Sequence, residues 1–167
     1  MCGIVGIYNK NKKPVYRETL KNMSDKLAHR GPDGEGLYLN GHLGLAHRRL
    51  AILDTSPKGN QPMTSKDGKW TIVFNGCIYN YLELKQELQS LGHEFVTGTD
   101  TEVIAEGLSA YGTKYFERFN GMFAIGAWNH NDESLYLSRD RYGIKPLYYW
   151  IGENTVCFAS EIKAIIE

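Results

Sequence analysis

Apolar positions along the chain alternate between two periods. The first apolar run, Gly3–Tyr8, reads as a strand that starts almost at the first residue. Leu20, Met23 and Leu27 then recur at helical spacing within Arg17–His29, and Arg30-Gly31-Pro32 stops that helix. Short strand-like pieces follow at Gly36–Leu39, Leu43–His47 and Leu50–Leu53. Beyond an Asp67-Gly68 turn, Trp70, Ile72 and Phe74 alternate with Thr71, Val73 and Asn75, the period of a strand. Leu84, Leu88 and Leu91 place a helix over Tyr79–Leu91, with Gly92 as its stop. Thr99-Asp100-Thr101-Glu102 fits a capping box, Thr99 as N-cap and Glu102 reaching back, for a helix that ends near Gly112. A short helical piece at Tyr115–Arg118 precedes a strongly β region: Met122–Trp128, Leu135–Ser138, Leu147–Trp150 and Thr155–Ala159. A last short helix starts near Glu161. Strands joined by tight turns, with helices between only a few, favour antiparallel sheets with helices outside over a parallel α/β sheet.

The 167 residues contain no internal repeat or low-complexity linker, so 1–167 reads as one domain. A hydrophobic share of 42% against 23% charged residues is that of a globular chain with a real core. Nineteen Lys+Arg balance 19 Asp+Glu, which argues against nucleic acid or a membrane surface as partner. No apolar run approaches the roughly 18 residues of a membrane span, and no secretory signal opens the chain. Cys2, Cys77 and Cys157 are widely spaced, which disfavours a disulfide framework and suits a reducing cytoplasm. His29, His42, His47, His93 and His130 show no ligand spacing, so no metal is expected. Trp70, Trp128 and Trp150, with the 11 tyrosines, read as core, and Cys157 as a small buried hydrophobe.

Cys2 changes the picture. Once Met1 is removed, one residue carries a nucleophilic thiol and an α-amine whose unperturbed pKa is about 7.7–8.0. Nucleophile and general base can then come from a single residue. Taken alone, Cys2 is more simply a small residue after the start methionine. Its companions overturn that reading. Cys2-Gly3-Ile4-Val5-Gly6, His29-Arg30-Gly31-Pro32-Asp33 and Leu45–Asp54 resemble the class II glutamine amidotransferases, which are N-terminal-nucleophile hydrolases. Within that class the resemblance is greatest to the glutaminase domains of glutamine-hydrolysing asparagine synthetases. It continues through Gly59–Met63, Phe74–Tyr81, Gly98–Val103, Asn120–Ala124, Ser138–Tyr149 and Phe158–Ala164, which is essentially the whole chain. The implied fold is α+β, a four-layer αββα sandwich of two stacked antiparallel sheets with outer helices.

The resemblance also implies roles. Cys2 would attack the side-chain amide of L-glutamine and become a glutamyl thioester. The Asn75 side chain and the Gly76 N–H would form the oxyanion hole. Arg49 would clamp the α-carboxylate and Asp100 the α-ammonium, with Gly76 and Cys77 beside the substrate. Arg30 and Asp33 would hold the N-terminal strand. Cys77 stands where asparagine synthetases usually carry a glutamate that helps hold the α-ammonium, and a neutral thiol cannot replace it. The ammonia would pass to an acceptor, aspartate in an asparagine synthetase-type system, through a synthetase domain or subunit. ATP and magnesium belong to that synthetase part, and no cofactor is expected in this chain. A sugar or nucleotide precursor as acceptor stays open, as does a catalytically silent domain that binds glutamine or a partner. Cys77 and Met1 favour the silent domain, whereas Cys2, Asn75, Gly76, Arg49 and Asp100 favour the enzyme. The oligomeric state is not legible.

Overall fold

The computed structural model describes residues 1–52 and 54–166. In chain order the elements are β1 (Gly3–Asn9), α1 (Arg17–Asp25), β2 (Gly34–Asn40), β3 (Leu43–Arg49), β4 (Met63–Thr64) and β5 (Trp70–Ile78). They continue with α2 (Tyr81–Ser90), α3 (Asp100–Tyr111), β6 (Gly121–Asn129), β7 (Ser134–Arg139), β8 (Tyr148–Ile151) and β9 (Thr155–Ala159). Two sheets result, one in the order β2-β3-β1-β9-β8 and one in the order β4-β5-β6-β7. Every strand pairing is antiparallel.

Period-two alternation decides which layer each side chain enters. Ile4 of β1 and Leu43 and Leu45 of β3 point between the sheets, where they meet Val73, Ala124, Trp128 and Phe158. Their neighbours Val5, Ile7 and Ala46 face the other way, onto Leu20 and Met23 of α1 and onto Leu27. Across the molecule, Ile72 and Phe74 of β5 pack on Leu84 and Leu88 of α2 and on Val103, Ile104 and Leu108 of α3. The layers are therefore helix, sheet, sheet, helix, as the resemblance implied. Phe158 ties the two sheets. A Cβ on Gly6 of β1 would lie 2.2 Å from its ring, and one on Gly126 of β6 would lie 2.3 Å away. Both sheets need glycine there so that one fully buried ring can fill the gap.

Some expectations are corrected. The helix read over Arg17–His29 ends at Asp25, and Ala28–Arg30 forms a separate 3-10 turn. Residues 50–52 form no strand, and Leu53 lies outside the described residues. Their backbone donors are drawn off the ladder: Leu50 N–H to the Cys2 Sγ at 3.3 Å and Ala51 N–H to Asp33 Oδ2 at 2.9 Å. Trp70 and Trp128 are core, but Trp150 is 53% exposed on β8, the edge strand of its sheet. The tyrosines are likewise mostly outside. Tyr115 is buried, while Tyr16, Tyr79, Tyr142 and Tyr149 are exposed. Cys157 is half-buried against the α1 side of its sheet. No helix among the described residues is long and apolar enough to cross a membrane.

Candidate active site

Carried one step further, the same alternation brings the chemistry together. Gly3 pairs with Arg48 and Ile4 with His47, so Cys2 lies at the end of β1 beside Arg49. On the facing sheet, Asn75 and Cys77 share the parity of Val73 and also point between the layers. Cys2, Arg49, Asn75 and Cys77 line one cavity of about 390 Å³, together with Gly76, Asp100 and Lys145. That volume accommodates a small molecule.

Cys2 is held on two sides. Its carbonyl accepts from Arg30 Nε at 3.0 Å, and Arg30 Nη1 is fixed by Glu161 at 2.8 Å. Its Sγ accepts from Leu50 N–H and faces the Leu50 carbonyl at 3.6 Å. Burial pushes the thiol above its ordinary pKa, against the pull of the Leu50 N–H, the N-terminal ammonium and Arg49. A thiol in that state needs a base before it can attack. The Asp33 carboxylate accepts from Ala51 N–H at 2.9 Å. It anchors Ala51, in the segment that carries Leu50, and so reaches Cys2 only indirectly.

Asn75 is 1% exposed, and its Nδ2 has no hydrogen-bond partner among the described residues. An amide donor buried without a partner costs roughly 1–3 kcal/mol, which a ligand oxygen would relieve. Gly76 follows on the strand. A Cβ there would lie 2.2 Å from the Met122 carbonyl and 2.8 Å from Phe123 Cα, so no side chain fits.

Asp100 opens α3 and is buried, with Oδ2 accepting from Ile78 N–H at 2.9 Å. Burial raises its carboxyl to a pKa of about 6, opposed by the N–H groups of Ile78, Asp100 and Thr101. The helix start is capped as the sequence predicts on one arm, Thr99 Oγ1 accepting from Glu102 N–H at 3.3 Å. The other arm differs: Glu102 reaches past Thr99 to the N–H groups of Val96 and Thr97, at 2.9 and 2.8 Å. Arg49 is also partly committed. Its Nη1 donates to the Ser56 carbonyl and Asn60 Oδ1, at 2.7 and 2.9 Å, and its Nη2 to the Asp54 carbonyl. Among the described residues, Nε–H and the second Nη2 hydrogen have no partner, and both can serve a ligand. Cys77 lies between charges, its thiol raised by burial and by Asp100 and lowered by Lys145.

Three residues here carried no role in the sequence reading. His47 is buried and neutral, its pKa pulled down to about 3 by loss of solvent. Its Nε2 donates to the Phe74 carbonyl at 3.1 Å, and its Nδ1 has no partner among the described residues. Gln61 accepts from Phe74 N–H at 2.6 Å and donates to the same carbonyl at 3.2 Å, so both side chains fix the backbone next to Asn75. Gln61 lies in the Gly59–Met63 segment and His47 in Leu45–Asp54, both part of the resemblance, but neither segment says which bond each side chain makes. Lys145 is the third, a cation buried at the cavity wall. Among the described residues, no group of three or more His, Cys, Asp or Glu side chains is placed to hold a metal ion.

Comparison with known proteins agrees with this geometry. The chain is 43% identical to asparagine synthetase [glutamine-hydrolyzing] 1 of Bacillus subtilis over 169 residues, 99% of this chain and 27% of that protein. It is 40% identical to the asparagine synthetase [glutamine-hydrolyzing] of Zea mays, over 99% of this chain and 28% of that one. The chain thus spans little more than a quarter of the length of these relatives. Its fold matches the glutamine phosphoribosylpyrophosphate amidotransferase of B. subtilis with a TM-score of 0.80 and 22% identity, covering 99% of this chain and 43% of that one. Residues 1–167 match the glutamine amidotransferase domain family from end to end. With its N-terminal-nucleophile sandwich and its asparagine synthetase-like relatives, this chain belongs to the class II glutamine amidotransferases.

Proposed function

We propose that residues 1–167 form one glutaminase domain that hydrolyses L-glutamine through Cys2 and releases ammonia for a synthetase domain or subunit. The observation that carries this reading is the meeting of the Cys2 thiol with the unpartnered Asn75 amide in one cavity. With Met1 removed, the Cys2 α-amine takes the thiol proton and Sγ bonds to the side-chain amide carbon. The developing oxyanion accepts from Asn75 Nδ2 and the Gly76 N–H. The amine returns the proton to the leaving nitrogen, the C–N bond breaks and ammonia departs. Water then adds to the thioester by the same route, giving glutamate and free Cys2. Asp100 pairs with the α-ammonium, and the free Arg49 donors meet the α-carboxylate.

The relatives' names favour an asparagine synthetase-type system as the destination of the ammonia. Aspartate as acceptor, its activation by the synthetase part with ATP and magnesium, and the lack of a cofactor in this domain belong to the same proposal. Three free cysteines favour a cytoplasmic setting. The test is to incubate protein that begins at Cys2 with L-glutamine and quantify glutamate and ammonia. Equal amounts of both support the reading, and no product rejects it. Cys77 favours a second reading, a silent glutamine-binding domain, because it leaves Asp100 as the main anion at the ammonium end. Binding of glutamine without product would select that alternative.

Two variants probe the site further. Asn75→Ala is expected to lower kcat by about 10²–10³-fold with little change in KM, since the donor acts only on the developing oxyanion. Steady-state glutamate release measures this, and an unchanged kcat would remove Asn75 from the oxyanion hole. Cys77→Glu is expected to lower KM for glutamine about tenfold, because a charge-assisted bond to the α-ammonium is worth roughly 1.5–3 kcal/mol. An unchanged or higher KM under reducing conditions would show that position 77 does not touch the substrate.

A further inference from the structure

Lys145 lies on the loop between β7 and β8, and its backbone is fixed on both sides. Asp140 Oδ2 accepts its N–H at 3.0 Å and Arg139 Nε donates to its carbonyl at 2.7 Å. The same Asp140 also accepts from Tyr142, Ile144 and Phe123, so one carboxylate sets the course of the whole loop. The side chain runs inward, 7% exposed, and Nζ meets the Met1 Sδ at 3.3 Å inside the cavity. No carboxylate among the described residues lies within ion-pair distance of it. A thioether is a weak acceptor, so Met1 partners this side chain only weakly.

Removal of Met1 takes even that contact away and leaves the ammonium facing the new N-terminus. Five bonds separate Met1 Sδ from the Cys2 nitrogen, which places Nζ within about 10 Å of it. We propose that Lys145 is a positioning residue of this site, whose ammonium, uncovered by loss of Met1, keeps the Cys2 α-amine unprotonated and available as base. This rests on the glutaminase reading above. Other groups face Cys2 from each neighbouring element. Arg49 on β3 lowers and Asp100 on α3 raises the titration of the Cys2 thiol, and the proposal adds Lys145 to the Arg49 side of that balance. Arg30 is balanced by Glu161, His47 is neutral, and Cys77 on β5 sits between Asp100 and Lys145. A single cation at this range in a partly desolvated pocket moves a neighbouring amine by about one pH unit.

Losing the cation favours the protonated amine, so its midpoint rises and base is lost at neutral pH. Asp100 titrates near the same range, so activity alone does not isolate the amine. The experiment is therefore competitive acetylation of the N-terminus with trace acetic anhydride across pH, read by mass. It uses processed Cys2→Ala protein with or without Lys145→Met or Lys145→Arg. Lys145→Met is expected to raise the amine midpoint by about one unit, and Lys145→Arg to leave it in place. In the Cys2 enzyme, Lys145→Met should move the acid limb of kcat/KM upward and recover at high pH. An unmoved midpoint, or a higher KM at every pH with the limb in place, would overturn the proposal in favour of direct contact with the substrate carboxylate. A parent that turns over no glutamine rejects the glutaminase reading instead, while the acetylation midpoint still reports on Lys145. Lys145→Gln replaces Lys145→Met if the latter lowers the melting temperature.

Discussion

Cys2→Ala is expected to abolish glutamate release while leaving the fold intact. The side chain is small and half-buried, and the strand it precedes is held by β3 and β9 through pairings that begin at Gly3 and Val5. The bond from Arg30 goes to the residue 2 carbonyl, which alanine keeps. What disappears is the thiol, and the structure offers no substitute in the same position. Cys77 shares the cavity but has no terminal amine, and Cys157 packs on the α1 side of its sheet, away from it. Thermal melting and glutamate release measured together check this. A folded Cys2→Ala protein that retains turnover near the parent value would remove Cys2 from the mechanism.

Protein that retains Met1 is expected to be equally inactive, although every other site residue is in place. With Met1 attached, the Cys2 nitrogen is an amide and cannot act as a base near neutral pH. The Met1 side chain also lines the cavity and reaches Lys145, occupying space that substrate needs. Chromatographic separation of the two forms, each identified by intact mass and assayed with glutamine, checks this. Comparable turnover from the Met1 form would show that the terminal amine is not the base.

The site residues are legible through the family resemblance, and the face each strand residue takes is legible because strand periodicity is a local property. The alternation that sends Ile4 and Val73 between the sheets sends Cys2 and Asn75 there as well, but their meeting at one cavity depends on how the two sheets stack, and the sequence implies it only through the family resemblance. The N-cap of α3 is legible as a local property too, since Thr99 and Glu102 are three residues apart. Contacts that depend on which segments meet are not. Nothing local tells that Gln61 and His47 would both bind the Phe74 backbone. Nor does local pattern show that Arg49 would spend donors on Ser56, Asn60 and Asp54. Trp150 reads as core because its strand is apolar, yet burial depends on the neighbouring layer, and its strand lies at a sheet edge. Lys145 was missed because a lysine in a Gly- and Pro-containing loop reads as solvated. Its inward course goes with a backbone held by Asp140 and Arg139, contacts no local pattern shows.

The most direct measurement of the central claim is the mass of cysteine-bearing peptides after acid quench during glutamine turnover, with and without hydroxylamine. The account predicts one glutamyl group on the peptide that begins at Cys2, lost to hydroxylamine as the γ-glutamyl hydroxamate, and none on the Met1 form. Turnover with the glutamyl group on the peptide of Cys77 or Cys157, or with no hydroxylamine-sensitive glutamyl group at all, would contradict it.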